Sequence, residues 1–180
     1  MNRSIYVMNI KQKNNSEACM DRRAPKPLYS GIKRIFDVVF SFILLVFLFL
    51  PLILIALAVK LDSAGPVFYK QERLGFFGEP FVMLKFRTMI PDAERDGPVW
   101  AKKEDPRRTR VGVFLRRFHL DELPQLWNIL VGDMSFVGPR PERPMFYKEF
   151  GKIVKGFEKR LLVKPGLTGL SQINGGYDLT

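Results

Sequence analysis

Asp121 and Glu122 stand side by side in RRFHLDELPQLWN, residues 116–128, behind Arg116 and Arg117 and just ahead of Pro124. A proline is tolerated only in a helix's first turn and pushes the residue before it out of helical geometry. A helix is therefore predicted to begin near Asp121 or Leu123 and to end near Gly132, with both carboxylates at its positive end. That position keeps acids ionised and attracts phosphate. The plainer alternative, an Asp N-cap with Glu122 paired to a nearby arginine, stays open. Two further places offer cations. Lys85 and Arg87 lie two positions apart in EPFVMLKFRTM, on one face of a strand and able to aim at a phosphate, though a solvated face has the same pattern. Arg140 is bracketed by Pro139 and Pro141 in MSFVGPRPERPMF, an extended segment whose pre-set arginine suits bidentate phosphate recognition. Gly138 beside it allows close approach by a ligand or another backbone. A plain proline-rich turn fits the same residues.

Composition narrows the chemistry. The 180 residues carry 29 Lys and Arg against 18 Asp and Glu, a formal charge of +11, which favours an anionic partner. One cysteine, Cys19, forms no intramolecular disulfide, and with a single histidine, His119, it cannot build a Cys/His zinc site. Any bound metal must be held by carboxylates, which points to Mg²⁺ or a similar hard cation. A nucleic-acid partner is not expected: acids interrupt the basic run KKEDPRRTR and no recognition spacing appears.

The elements that must position these residues begin with an apolar run. Residues 38–59 contain no charge over 22 positions, about 33 Å as a helix and enough to cross a hydrocarbon core. Pro51 interrupts it and predicts a kink there. Basic residues flank both ends, so charge does not orient it, and a kinked span and a hairpin returning to the same face remain open. Residues 1–30 form a basic tail suited to anionic lipid headgroups, or simply a solvated tail. Beyond the anchor, GPVFYKQERLG and EPFVMLKFRTM predict a β-hairpin turning through FFG. Residues 90–109 read as a charged loop with at most a short helix, and RVGVFLRRF as a helix. EFGKIVKGFEKRLLV predicts an amphipathic basic helix, and KPGLTGLSQINGG a Gly-rich loop without phosphate-loop spacing.

Taken in order, the apolar hairpin with Pro51, KFRTM, FLRRFHLDELPQLWNILVGDMSFVGPRP and KPGLTGLSQINGG resemble the bacterial sugar transferases, the monotopic phosphoglycosyl transferases. The resemblance covers residues 31–176. It implies an α+β fold, predominantly α: a monotopic membrane protein with a Pro-kinked re-entrant helix, amphipathic interfacial helices and a small β-hairpin. Its implied organisation is a tail (1–30), a re-entrant hairpin (31–62) and a catalytic domain (63–180) on the cytoplasmic face of the cell membrane. The implied reaction moves a sugar 1-phosphate from a UDP-sugar to polyprenyl (undecaprenyl) phosphate and releases UMP, the first membrane step of exopolysaccharide, capsule, O-antigen or glycoprotein glycan synthesis. Carried over, Asp121 is the nucleophile that forms an aspartyl phosphosugar, and Glu122 a ligand of Mg²⁺. Lys85, Arg116 and Arg140 match the family's cations. Downstream glycosyltransferases are the implied protein partners. Leu50 and Gly176 stand where the family often has Ser and Arg. Relatives usually continue past the position of Thr180, so the domain is expected to lack the usual C-terminal segment. An inactive truncated relative and a membrane-anchored basic binding module are the alternative functions.

Overall fold

The computed structural model describes residues 27–91, 93 and 105–175. The expected tail lies almost wholly outside the described residues, as does most of the charged loop. Helix α1 is described over Pro27–Phe47. It thus already runs through the four residues before the expected start of the anchor. Leu48 separates it from α2 (Phe49–Asp62), and the two axes differ by 64°.

The kink was expected at Pro51, yet the break falls three residues earlier. Pro51 lies in the first turn of α2, and its missing N–H leaves the Phe47 carbonyl, one turn back, without its helical donor. The chain re-forms its ladder on either side: Leu48 N donates to Leu44 O and Leu52 N to Leu48 O, both at 2.8 Å. Among the described residues no single helix is long and apolar enough to cross a membrane, though the bent pair together passes by length and composition. Both helices present large exposed apolar side chains, among them Phe36, Phe42, Phe47, Phe49, Leu54 and Leu61. An apolar surface this continuous is unusual outside contact with lipid or protein.

Strands β1 (Phe68–Leu74) and β2 (Pro80–Phe86) form the predicted antiparallel hairpin, with Tyr69 opposite Lys85 and Leu74 opposite Pro80. They turn through a 3-10 segment at Phe76–Gly78. Helix α3 (Arg110–Arg117) starts on Thr109, whose hydroxyl accepts from Gly112 N at 3.0 Å. Asp62 at the end of α2 accepts from Val111 N at 2.9 Å, so a second side chain caps α3 and ties it to the bent pair. A 3-10 turn, Leu120–Glu122, and α4 (Gln125–Val131) follow, and Gly132 closes α4 at φ 105°.

β3 (Ser135–Val137) then pairs in parallel with β4 (Gly166–Thr168). Between them run α5 (Pro144–Ile153) and a 3-10 segment, Phe157–Leu162. The single amphipathic helix expected over 149–163 is thus two pieces. Extended backbone at Val154 and Gly156 at φ 80° end the first before the second begins. The expected Gly-rich loop instead supplies β4 and a short helix, α6 (Leu170–Gly175), because β3 offers an edge for residues 166–168 to pair with. The architecture is mostly helical with two small sheets.

Three apolar clusters hold these parts. Met83, Leu126, Ile129 and Met134 pack with Leu44, Leu45 and Leu48 of the bend. Val59, Phe86 and Leu115 pack with Leu52, Ile55 and Ala56 of α2. Leu74, Tyr147 and Leu161 join the hairpin to α5. Polar ties reinforce the first: Arg34 donates to the carbonyls of Ile129 (2.7 Å) and Leu130 (2.8 Å) at the end of α4. Asp37, buried, accepts from Ser135 Oγ at 2.7 Å and Phe136 N at 3.2 Å.

Candidate active site

The turn between α3 and α4 brings the two carboxylates inward. His119 adopts a left-handed conformation (φ 56°), which reverses the chain after α3 and starts the 3-10 turn. Asp121 and Glu122 are then only 3% and 7% exposed, so they are not the solvated charges of a surface helix. Nor do they cap a long helix. Pro124 is the N-cap residue of α4, which is seven residues long, and the acids precede it. Charge compensation comes from side chains of other elements instead.

Lys85, on β2, donates to Glu122 Oε1 at 2.6 Å, and Arg140 Nη2 reaches the same oxygen at 3.2 Å. Burial pushes the Lys85 ammonium below its ordinary value; Glu122 opposes the shift and Arg140 adds to it. Burial pushes the Asp121 carboxyl up, with Lys85 opposing, Glu122 reinforcing and Arg116 opposing. Asp121 Oδ1 is buried without a hydrogen-bond partner, and so is Arg116 Nη1. An orphaned carboxylate oxygen within the influence of Lys85 and Arg116 is an unusual arrangement, since buried polar atoms are nearly always satisfied.

Arg140 is positioned by close backbone crossing. A Cβ on Gly138 would sit 2.3 Å from Lys164 O, so only glycine lets β3 run against residues 164–166. Gly166 N donates to Pro139 O at 2.9 Å, and Arg160 donates to the carbonyl of Arg140 at 2.8 Å. The other backbone foreseen at Gly138 is therefore β4.

Arg87 requires a correction. It leaves β2 for the end of α2, where it is 6% exposed and donates to Ala64 O (2.7 Å), Ser63 O (2.7 Å) and Ser63 Oγ (2.9 Å). The strand ends at Phe86, so the two-residue periodicity that paired Arg87 with Lys85 no longer holds there. Its guanidinium closes the C-terminus of a helix rather than facing a phosphate. Pro51, named only for the kink, lies in the first turn of α2 beside the bend.

Two residues escaped the sequence reading. Arg73 of β1 lies with Met83, Glu122, Gln125, Arg140 and Pro141 along a narrow cleft. It donates to Pro141 O at 3.0 Å and pairs with Glu142 at 3.3 Å, and burial lowers its pKa. Gln125 is 3% exposed. The available signals were Arg73's place in an alternating strand and Gln125's place one turn after Asp121. Neither marks chemistry by itself. Asn128 is buried and bonds β2: Leu84 N donates to Oδ1 (3.1 Å) and Nδ2 donates to Val82 O (2.8 Å).

Among the described residues no group of three or more His, Cys, Asp or Glu side chains could enclose a metal. The donor set does fit Mg²⁺, which is usually bound through one or two carboxylates together with substrate phosphates and water. Asp121 Oδ1, buried and unpartnered beside Glu122, is a hard oxygen of that kind.

Comparison with known proteins adds the following. A family model described as bacterial sugar transferase matches residues 28–180. A Bacillus subtilis (strain 168) protein, provisionally named an undecaprenyl-phosphate N-acetylgalactosaminyl 1-phosphate transferase, is 50% identical over 134 residues, 74% of each chain. The UDP-glucose:undecaprenyl-phosphate glucose-1-phosphate transferase of Klebsiella pneumoniae is 45% identical over 179 residues, 95% of this chain and 38% of its own length. An Aeromonas hydrophila UDP-N-acetylgalactosamine-undecaprenyl-phosphate N-acetylgalactosaminephosphotransferase is 41% identical over 154 residues, 85% of this chain and 36% of its own length. The chain thus spans about three quarters of the first relative and under two fifths of the other two.

Proposed function

The chain belongs to the bacterial sugar transferase family, and from that premise we propose that it transfers a sugar 1-phosphate from a UDP-sugar to undecaprenyl phosphate, releasing UMP. Relatives 41 to 50% identical carry the names of such phosphotransferases, which makes an enzyme of this kind the chain's class. A relative from Rhizobium leguminosarum bv. phaseoli, 42% identical, is named an exopolysaccharide production protein, and that pathway is the one proposed here. The observation that carries the mechanism is Asp121: a buried carboxylate oxygen with no partner, beside a glutamate held by two cations.

In the first step an Asp121 oxygen attacks the phosphorus that bears the sugar. The new Asp121 O–P bond forms as the bond to the UMP oxygen breaks, leaving an aspartyl phosphosugar. A phosphate oxygen of undecaprenyl phosphate then attacks the same phosphorus and frees Asp121. Both nucleophiles are anions, so neither step needs a proton removed. Lys85, Arg116 and Arg140 offset charge on the phosphates, and Glu122 holds Lys85 and Arg140 in place. Mg²⁺, which Glu122 would hold, supplies further charge neutralisation at the diphosphate when bound. In this reading the site works at the cytoplasmic face of the membrane, with the exposed apolar side chains of the bent pair α1–α2 in the bilayer; the length and apolar composition of that pair support it.

The test supplies membranes containing the chain with Mg²⁺, undecaprenyl phosphate and a panel of UDP-sugars, and measures UMP. UMP release is expected with at least one sugar, and Asp121→Asn lowers it by about 10³-fold or more. No UMP from any sugar, or full turnover by Asp121→Asn, overturns the proposal.

A further inference from the structure

Two buried amides one turn apart on α4 have opposite fates. Asn128 spends its carboxamide on Leu84 N and Val82 O. Gln125, 3% exposed, keeps its amide nitrogen without any partner. It lines the narrow cleft that also holds Glu122 and Arg140. Arg73, which lines the same cleft, is partnered through its two terminal nitrogens, but its Nε is buried and unpartnered. One cleft therefore contains two orphaned donors. An unmade buried hydrogen bond costs about 1–3 kcal/mol, so two in one place imply an acceptor that the folded chain does not itself supply.

The chemistry of that acceptor is constrained. It must accept from both an amide and a guanidinium, so a group with several acceptor oxygens is required. The walls carry Arg73 and Arg140, so it must also be anionic. Phosphate oxygens meet both conditions. Gln125 follows Asp121 by four positions and shares its cleft with Glu122, the neighbour of Asp121. Resting on the transferase reading above, we propose that Gln125 Nε2 and Arg73 Nε donate to the diphosphate of the nucleotide-sugar substrate. Gln125 is then a binding residue of the donor site, and its burial is the means of keeping a water-free donor ready.

Binding is measured on the full chain in detergent with Mg²⁺, by titration with UDP and, separately, with farnesyl phosphate as a short polyprenyl phosphate. Gln125→Met keeps the shape and removes the donor; Gln125→Glu replaces it with an anion. Both are expected to weaken UDP binding by about tenfold or more and to leave farnesyl phosphate binding unchanged. Without ligand, Gln125→Met is expected to raise the Tm, because an unsatisfied amide has been replaced by an apolar group. Unchanged UDP affinity in both variants overturns the proposal. So does loss confined to farnesyl phosphate, or a wild-type chain that binds no UDP. A lowered ligand-free Tm with UDP affinity intact marks an amide satisfied by buried water, and overturns it too. If UDP binding depends on Gln125 but no UDP-sugar yields UMP, the transferase reading fails and this assignment stands.

Discussion

Asp121 is held in a state that costs stability and, in the proposed mechanism, leaves it able to attack phosphorus. Its carboxyl pKa is raised chiefly by burial, so in the window between its unfolded and folded values the native state binds more protons than the unfolded chain. Stability consequently falls as pH rises through that window, and the penalty is fully present above the folded value. Asp121→Asn removes the charge. It is expected to raise the Tm near neutral pH, with a gain that vanishes in acid, while turnover is lost. A Tm that falls in Asp121→Asn at neutral pH would contradict this account. The proposed step uses the ionised acid, so the acid limb of kcat/KM against pH, which reports the free chain, should lie above the ordinary aspartate value of about 3.9. A limb at or below that value would show that the carboxylate is not desolvated in the free chain. Lys85 holds Glu122 at 2.6 Å, and Lys85→Met leaves Glu122 with one cation fewer. A drop in kcat/KM of roughly 10²-fold is expected, comparable to the loss of one charge-stabilising donor. Kinetics of purified variants at fixed Mg²⁺ measure it.

Several elements owe their placement to single backbone positions. The β3–β4 crossing depends on Gly138, and Gly138→Ala forces the strands apart or shifts the segment that carries Arg140. A loss of about 1–3 kcal/mol is expected, with a rise in KM for the UDP-sugar; denaturant midpoints and steady-state kinetics report the two effects. Arg87→Met should differ in kind. Removing the donors that close α2 lowers the denaturant midpoint while KM for the UDP-sugar stays put, whereas a risen KM would return Arg87 to the phosphate site. These elements also show what a sequence reveals. The hairpin was legible because β-branched and aromatic alternation and the FFG turn are local signals. The α4 boundaries were legible to within a few residues because Pro124 and Gly132 are local punctuation. β4 was not legible: three residues around a glycine become a strand only because β3, some thirty positions earlier, offers an edge. Within the site, Lys85, Glu122 and Arg140 stood out by residue type and motif. Gln125 and Arg73 did not, since an amide and a strand arginine become chemically unusual only once they are buried without partners.

At the scale of the whole molecule the bend is the organising feature. If α1 and α2 enter and leave one face of the membrane, single cysteines placed near residues 31 and 62, in a Cys19→Ser background, should be labelled from the same side by an impermeant reagent. Labelling from opposite sides would make the pair a kinked span. The same helices also complete two of the three apolar clusters, Leu44, Leu45 and Leu48 in one and Leu52, Ile55 and Ala56 in the other. In the proposed monotopic arrangement residues 27–62 have two solvents at once: lipid on one side and the interior of the rest of the chain on the other. That arrangement has a consequence for biogenesis. The two helices leave the ribosome before the residues that cover their protein-facing side, which run from Phe81 and Met83 through Met134 to Leu167. Insertion and folding are then a single coupled event, with the membrane holding a half-satisfied helix pair until the rest of the chain arrives. A fragment comprising 63–180 alone should accordingly aggregate when made without membranes, since Met83, Ile129 and Leu115 would lose their covering. A monodisperse, cooperatively melting fragment would show instead that the catalytic part matures independently of the bilayer.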